Sequence, residues 1–441
     1  MPRAHEQGSA LLLTIVVTVV VLFLGGAFGL IGMMESRRVQ REETAMQAYY
    51  LARSGADAMA QAIISDPTIL DKGIVDIASE LVPLGSGAFT VKVTRDGTDV
   101  RVKSTGIVRG QEHIVELKLE GESLFKHAVV ALGTGSGKGP AIKIAKNPNI
   151  YGDMATNATE DGSVIISGNV RLNGYLYVGS GAKDPKEVVQ NTGNGKFDVV
   201  KLSAEAKYPD LVFPDLPEDL PDRGNKTDCN TIDADGHYDS ISTSGDLEID
   251  LGGGTRIIRV VDLHLGGSLK LTNVAENGRL LLFVTGTIAL GKNITVNWTG
   301  EAQNPSAFTL YYSGSETLKI EGNQSIAGSL VIGEAALDMS GNQKIVGNLF
   351  TLGSKVDIDF NPNPGWGLIY APNGKVTISQ NGSFGPVIAK GLVIEGNPEI
   401  TLPTDEGLEN LVKTFPAGIF GPGFADAQDG GLRRGTWSAM R

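Results

Sequence analysis

Residues 318–332, LKIEGNQSIAGSLVI, carry the pattern that governs most of the chain. Their first nine residues match LVIEGNPEI at 392–400 in six of nine positions. The apolar residues Ile326, Leu330 and Ile332 are separated by even steps, which is the spacing of a strand and not of a helix. The Gly-Asn pair suits a corner in left-handed backbone, where other residues meet a steric cost. The stretch therefore predicts short strands joined by tight turns.

Similar Gly-Asn units recur on both sides of this stretch. The step from Asn323 to Asn342 is 19 residues, and the step from Asn342 to Asn381 is 39 residues, about two repeats. Repeats of this length predict a mainly β fold, with a β-solenoid resembling a parallel β-helix over residues 126–414. The alternative is a β-sandwich in which the Gly-Asn turns recur by chance. We expect stacked amides to form a ladder at the corner positions Asn169, Asn323, Asn342, Asn381 and Asn397.

Composition narrows the classes of function. Glycine supplies 58 of 441 residues without a collagen period, which favours many tight turns. The net charge is −12, and an acidic chain is a poor partner for nucleic acid, which needs clustered Lys and Arg. Cys229 is the single cysteine, so neither an internal disulfide nor a cysteine-based zinc site can form.

Prolines interrupt the repeats near residues 205–225. Pro209, Pro214, Pro217 and Pro221 predict an extended segment outside the core. Two interpretations stay open: a loop that binds a partner, and a long crossing connection. The Gly-rich tail at 415–441 is expected to be loosely ordered.

The region before the repeats, 66–125, predicts a small antiparallel β domain. Residues 88–94, 99–106 and 113–120 alternate apolar and polar side chains, and turns with Gly97 and Gly110 separate them.

The N-terminal stretch 9–34, SALLLTIVVTVVVLFLGGAFGLIGMM, contains no charged residue. As a helix it would span roughly 39 Å, enough to cross the hydrocarbon core of a membrane. A cleaved secretory signal is the alternative, but its apolar region is shorter and ends at a small-residue site that is missing here. The helical pattern continues without proline to residue 65. We therefore expect a transmembrane and pilin-like helix over residues 9–65. Its second half carries an apolar stripe that would pack on the next domain, formed by Met46, Tyr49, Tyr50, Met59, Ile63 and Ile64.

These N-terminal residues resemble those of type IV pilins. The polar leader 1–8, MPRAHEQG, followed by an apolar helix, is similar to a prepilin peptidase site and implies cleavage between Gly8 and Ser9. Ala48, Ala52 and Gly55 resemble the N-terminal motif of PilX-type minor pilins. Arg53 departs from that motif, where the family usually has Glu.

Another departure concerns the role within the filament. Major pilins usually carry Glu at the fifth mature position, which is Leu13 here. The resemblance is therefore to minor pilins and pseudopilins that lack this carboxylate. A carboxylate in lipid is costly and is usually kept for a partner, so its loss argues against a repeating shaft subunit.

The resemblance implies a minor-pilin-like component of a type IV pilus or type II secretion pseudopilus, acting in filament priming, tip structure or adhesion. The expected partners are other pilins, prepilin peptidase, the inner or cytoplasmic membrane, and a surface glycan or host-cell ligand. Small residues in the helix permit close contact with neighbouring helices, at Gly25, Gly26, Gly29 and Gly32.

We expect the large domain to be extracytoplasmic. The cations Arg37, Arg38 and Arg41 behind the apolar run oppose this topology under the positive-inside rule. Two other functions stay open: a membrane-anchored adhesin or structural protein without a pilus, and an anchored carbohydrate-active β-helix enzyme.

Motifs for catalysis or cofactor binding are weak. The run ALGTGSGKGP lacks the first glycine and the hydroxyl residue of a phosphate-binding loop, at Leu132 and Gly139. Asp357 and Asp359 share a strand face with Lys355, and a solvated acidic surface is the preferred interpretation. Asp233, Asp235 and Asp239 are the first candidates for calcium ligands. The position where an EF-hand loop would end in Glu is occupied by Ser242, so a surface turn is the preferred interpretation. We therefore predict no enzyme activity, no catalytic residue, no cofactor and no metal site.

Overall fold

The computed structural model describes residues 7–65, 69, 76–78, 80–96, 99–120, 125–135, 139–298, 303–360, 366–420 and 433–440. The chain divides into two compact units. The small unit comprises Met1–Glu122 and Gln428–Arg441, and the large unit comprises Ser123–Ala427. The small unit is therefore built from both ends of the chain.

The described helices are α1 (Gln7–Ser65), α2 (Asp405–Lys413) and a 3-10 turn at Pro305–Ala307. The described strands, in chain order, are β1 (Asp76–Ala78), β2 (Val82–Leu84), β3 (Gly87–Asp96), β4 (Asp99–Val108), β5 (Gln111–Glu120), β6 (Val129–Ala131), β7 (Ile142–Ile144), β8 (Asn149–Tyr151), β9 (Met154–Thr156), β10 (Val164–Ile166), β11 (Arg171–Asn173), β12 (Leu176–Val178), β13 (Val189–Asn191), β14 (Val199–Lys201), β15 (Asp222–Thr227), β16 (Thr231–Ile232), β17 (Gly236–Thr243), β18 (Leu247–Asp250), β19 (Thr255–Leu265), β20 (Leu269–Thr272), β21 (Arg279–Val284), β22 (Ile288–Leu290), β23 (Thr295–Val296), β24 (Phe308–Tyr312), β25 (Leu318–Gly322), β26 (Ser325–Ala327), β27 (Ser329–Ile332), β28 (Leu337–Gly341), β29 (Lys344–Thr351), β30 (Lys355–Phe360), β31 (Trp366–Ile378), β32 (Gly382–Phe384), β33 (Val387–Ile394), β34 (Pro398–Thr401) and β35 (Arg433–Met440).

The small unit packs α1 on an antiparallel sheet. The sheet order is β1-β3-β4-β5-β35, with β2 also paired to β3. The antiparallel meander expected from residues 88–120 is confirmed as β3, β4 and β5, which extend slightly beyond the alternating segments. Val93, Val102 and Leu117 are buried between the sheet and the helix.

The tail contributes the last strand of this sheet, which corrects the expectation of a loosely ordered C-terminus. Strand β35 pairs antiparallel with β5, so that Met440 lies opposite Ile114. A strand that gains backbone hydrogen bonds along an exposed sheet edge is held in place even when a Gly-rich segment precedes it in the sequence. The proximal part of the tail, 421–432, lies outside the described residues.

The large unit is a stack of parallel-strand coils, so the predicted β-solenoid is confirmed. The coils stack so that their strands form three faces of the solenoid, called A, B and C. Along the chain, each coil forms face A first, then face C and then face B. In one coil these faces are β24, β25 and β26, after which β27 begins the next face A. Inward-pointing residues fill the interior, as Leu310, Ile320 and Ile326 do in this coil.

The coils do not stack in sequence order. Strand β33 pairs with β6, placing Val387 beside Val129, and β34 pairs with β8, placing Ile400 beside Ile150. Residues 129–201 therefore continue the stack beyond its C-terminal coils. The two ends of the stack are β14 and β15, which are neighbours in the sequence.

The Pro-rich segment 202–221, here called the strap, makes the return crossing between these two ends. Its Ala206 exchanges two hydrogen bonds with the Asn157 side chain, at 2.8 and 2.9 Å. Farther along, the Tyr370 hydroxyl donates to the Pro209 carbonyl, and the His237 amide donates to the Pro221 carbonyl at 2.8 Å. Of the two interpretations left open by the prolines, the structure shows the crossing connection.

The strap also covers an apolar row on the outside of face A. The row includes Phe283, Tyr311, Phe350 and Tyr370, with the rings of Phe283 and Tyr311 stacked at 4.4 Å. Leu211 of the strap is buried against this row. Since both sides of face A are covered, its strands are apolar at consecutive positions, as in FTLYY of β24.

Candidate functional site

The first part of α1, residues 13–34, has an apolar surface and is here called its outer half; the remainder of α1 is called its inner half. The large side chains between Leu13 and Met34 are exposed, with Leu22 at 70% and Phe23 at 76%. By length and composition, the helix could cross a membrane. Exposed apolar patches of this size mark contacts with lipid or protein. This half of α1 therefore provides a candidate membrane anchor and a candidate interface for other helices.

The predicted helix-packing glycines lie on this exposed half. Around Gly25, Gly26, Gly29 and Gly32, no described atom other than the adjacent backbone of the helix itself would lie within 4 Å of an added Cβ. Gly25, Gly29 and Gly32 are spaced by four and three residues, so they share one side of the helix. They present a side without side chains on which a second helix backbone could approach closely.

The inner half of α1 packs on the sheet through small residues. Ala48, Ala52, Ala56 and Ala60 are fully buried. A Cβ on Gly106 of β4 would lie 2.1 Å from the Ala48 carbonyl oxygen and 2.6 Å from the Ala52 nitrogen. The helix and strand therefore approach backbone to backbone, and only glycine fits at this point.

Gly55 completes this contact and explains part of the N-terminal motif. An added Cβ there would lie 2.4 Å from Cδ2 of Phe89 and 2.7 Å from Oγ of Ser104. Ala48, Ala52 and Gly55, the motif residues seen in the sequence, thus belong to the stripe that faces the sheet. Arg53, which departs from the motif, places its guanidinium over the Trp437 ring of β35, 5.0 Å from the centroid, which is cation–π geometry.

The predicted processing site lies at the beginning of α1. Gly8 and Ser9 fall in its first turn, and residues 1–6 of the leader lie outside the described residues. Leu13, which replaces the usual pilin carboxylate, is 66% exposed on the apolar half.

The predicted corner asparagines all lie on the corner that leads from face C to face B. The Asn381 Oδ1 atom accepts from the Asn397 amide at 3.0 Å, and the Asn397 Oδ1 accepts from the Asn147 amide at 3.0 Å. In the same way, the Asn147 Oδ1 accepts from the Asn169 amide at 2.8 Å, and the Asn169 Oδ1 accepts from the Asn194 amide at 3.1 Å. This ladder joins coils that are far apart in sequence.

The other two predicted corner residues belong to a different stretch of the same corner. Asn323 donates from Nδ2 to Oδ1 of Asn293 at 2.9 Å, and the Asn342 amide donates to the Gly322 carbonyl at 2.8 Å. Sequence reasoning missed the residues that follow them: Gln324 and Gln343 are buried and donate to backbone carbonyls inside the coils. The repeated Gly-Asn-Gln triplet was the signal available for them.

The candidate carboxylates have structural partners. Asp357 forms an ion pair with Lys355, and Asp359 accepts a hydrogen bond from Gln380 at 2.9 Å. Of the calcium candidates, Asp235 forms an ion pair with Arg256 at 3.1 Å and accepts from the Ile257 amide. Across the part of the chain that the structure describes, no group of three His, Cys, Asp or Glu residues has the geometry of a metal site.

A family described as a domain of unknown function, DUF7305, matches residues 193–364, which is less than half of the chain. No curated protein matches the sequence. Among solved structures, the competence-associated pilin ComZ from Thermus thermophilus aligns over 90% of this chain and 97% of its own, with 14% identity and a TM-score of 0.22. This TM-score is too low for the likeness to bear on fold or function.

Proposed function

We propose that the chain is a minor-pilin-like component of a type IV pilus or a related type II secretion pseudopilus. The observation that carries the proposal is the single helix α1, which exposes an apolar first half and buries its second half on an antiparallel sheet. This division suits a subunit that rests in a membrane and later exchanges lipid for the helices of other subunits. An anchor that stayed in lipid would need no more than an apolar span.

Two sequence features support processing and assembly. The Gly8-Ser9 junction suits prepilin peptidase, and cleavage there would leave the apolar helix at the mature N-terminus. The open side at Gly25, Gly29 and Gly32 suits close packing against another pilin helix. In this proposal the helix is inserted in the cytoplasmic membrane, and the β units are extracytoplasmic.

Leu13 favours a place at the start or tip of the filament rather than in the shaft. A shaft subunit with a carboxylate at this position can pair it with a partner in the apolar interior. An apolar residue there requires no partner, so the subunit can occupy a position with one missing neighbour. Filament priming, tip structure and adhesion are the roles that fit this property.

The proposed role is non-catalytic. The paired carboxylates Asp357 and Asp359 each have a neighbour that satisfies them, namely Lys355 and Gln380. The rest of the large unit is a rigid, continuously hydrogen-bonded solenoid, a form that suits an elongated display surface.

The experiment compares assembly with membrane retention. Cells carrying Gly29→Leu are expected to keep the protein in the membrane fraction but to lose most of it from pili sheared off the surface, because the leucine fills the side open to a neighbouring helix. Gly245→Leu, at another glycine with no atom within 4 Å of its Cβ, is the matched control and should leave both fractions unchanged.

Membrane retention without any wild-type protein in sheared pili or a pseudopilus preparation would contradict the proposal and favour a membrane-anchored adhesin. Normal filament incorporation of Gly29→Leu would show that this side of the helix is not the assembly interface. A glycan cleaved by the purified protein would favour the enzyme alternative.

A further inference from the structure

A groove lined by polar, aliphatic and aromatic side chains lies on face B at one end of the coil stack. Its volume is about 510 Å³, and β8 and β11 form its floor. The turn at 194–196, which follows the last strand of face C, forms one wall. The groove belongs to the large unit alone, and no residue named in the proposal for α1 lines it. Its residues are Asn149, Tyr151, Asn169, Val170, Arg171, Leu172, Asn173, Asn194, Gly195 and Lys196.

The lining of this groove differs from the rest of the chain in charge. The chain as a whole has a net charge of −12. Among the described residues that line the groove, Arg171 and Lys196 are cationic and there is no carboxylate. The lining therefore offers two positive charges to an anionic group, and the carboxylate of Glu399 lies on the adjacent strand, beside Asn149.

The side chains on the floor are available for a ligand. Within the described structure, the side chains of Asn149, Arg171, Asn173 and Lys196 make no hydrogen bond or ion pair with protein. Their backbones are fixed by parallel pairing of β8 and β11. The fixed backbone spares the cost of ordering the main chain on binding, so that only the side-chain rotamers have to be ordered by a ligand.

One exposed tyrosine lines the groove, and two more tyrosines lie just beyond it, after the end of β11. Tyr151 is 44% exposed on the floor, and Tyr175, two residues beyond Asn173, is 48% exposed. The rings of Tyr175 and Tyr177 are 6.1 Å apart, and His127 lies 5.5 Å from Tyr177. An exposed aromatic ring offers an apolar face to a ligand and a hydroxyl to its polar edge.

We propose that this groove binds an acidic polysaccharide, with uronic acid residues as the recognised unit. Arg171 would pair with a uronate carboxylate through two parallel hydrogen bonds, with Lys196 as a second positive charge. The amides of Asn149 and Asn173 each offer donors and an acceptor to neighbouring hydroxyl groups. The ring of Tyr151 would stack on the apolar face of a sugar ring. Two cations within an acidic chain are too few for a nucleic-acid surface.

The test uses the full-length chain in lipid nanodiscs, whose lipids and scaffold carry no sugar. Binding is measured by calorimetry with oligogalacturonate, alginate and glucuronate-containing oligomers, and with a maltooligosaccharide of equal length as the neutral probe. At least one acidic oligomer should bind more tightly than the neutral one. Arg171→Gln should weaken that binding by about tenfold, the loss expected for a hydrogen bond to a charged group.

Controls separate the site from folding and from net charge. Lys226→Gln removes a cation at the opposite end of the stack and should change the Kd by less than about twofold, since screening limits charge effects over this distance. Tyr151→Ala should weaken binding independently of charge. Arg171 and Tyr151 are exposed, so both variants should melt as the parent does.

The proposal is overturned if no acidic oligomer binds, or if Arg171→Gln and Tyr151→Ala both bind as the parent does. It is also overturned if a single-stranded oligonucleotide, and not a glycan, is the ligand lost in Arg171→Gln. The measurement does not depend on filament assembly, so its outcome is independent of the role proposed for α1.

Discussion

Gly106→Ala is expected to release the inner half of α1 from its sheet. The new Cβ would lie 2.1 Å from the Ala48 carbonyl oxygen, whereas Cβ contacts in proteins stay at 3.0 Å or more. The helix must therefore withdraw by about 0.9 Å at this point. Backbone atoms stand on both sides of the contact, so no side-chain rotation can relieve it.

The size of the effect follows from this geometry. Overpacking a well-packed contact costs about 1–3 kcal/mol, and the rigid neighbours favour the upper end. Replacing glycine in a strand would otherwise stabilise by about 0.5–1 kcal/mol, so the net loss should be about 2 kcal/mol. Opening of the helix would then become about 30-fold more frequent.

Hydrogen exchange resolved by peptide measures this opening directly, because the two units need not unfold together. Amides in residues 48–63 should exchange about 30-fold faster in Gly106→Ala, while amides of the large unit keep their rates. Gly245→Ala, with no atom near its Cβ, should leave residues 48–63 unchanged. Unchanged protection of the helix in Gly106→Ala would refute the close backbone approach.

Three further predictions concern the large unit. Tyr370→Phe removes the hydroxyl that donates to the Pro209 carbonyl, so the strap should be weakened by about 1 kcal/mol and be cut faster in limited proteolysis. Gln343→Ala leaves buried carbonyls without a donor and should lower the free energy of unfolding by about 2–3 kcal/mol. Asn397→Ala, at an exposed corner, should lower it by about 1 kcal/mol, and denaturant titrations measure both losses. Burial raises the pKa of Tyr311 from 10.0 to about 12, so the stability that the neutral phenol provides is complete below pH 10 and is lost as pH rises toward 12, by about 1.4 kcal/mol per pH unit. Thermal melts from pH 9 to 12 should show this fall. Tyr311→Phe should make the fall shallower by the share of one proton, and Tyr208 and Tyr370, whose pKa values burial also raises, keep the rest of the slope.

Local patterns were enough to predict the element types. The apolar run and the absence of proline define α1 as far as residue 65, and strict alternation defines β3, β4 and β5. The close approach of Gly106 to the helix was beyond sequence reasoning, because it depends on which strand faces Ala48.

The stacking order of the coils could not be predicted, because equivalent repeats can stack in any order. The match between 318–326 and 392–400 shows that distant coils present nearly the same edge to a neighbour. Nothing local therefore distinguishes the pairing of Asn147 with Asn397 from a pairing with the next coil in sequence. The strap and the covered row on face A both follow from this order.

The last strand of the small sheet was missed for a related reason. Strand β35 follows a Gly-rich segment and is far in sequence from its partner β5. Alternation is weak in RRGTWSAM, so the sheet edge supplied by β5, rather than local preference, determines that these residues form a strand.

The mature N-terminus is the most direct test of the pilin-like role. Intact mass and N-terminal sequence should be measured on the protein from native membranes, with and without prepilin peptidase. The account predicts a chain that begins at Ser9 when the peptidase is present and at Met1 when it is absent. A full-length chain in both samples would contradict it and leave α1 as an ordinary membrane anchor.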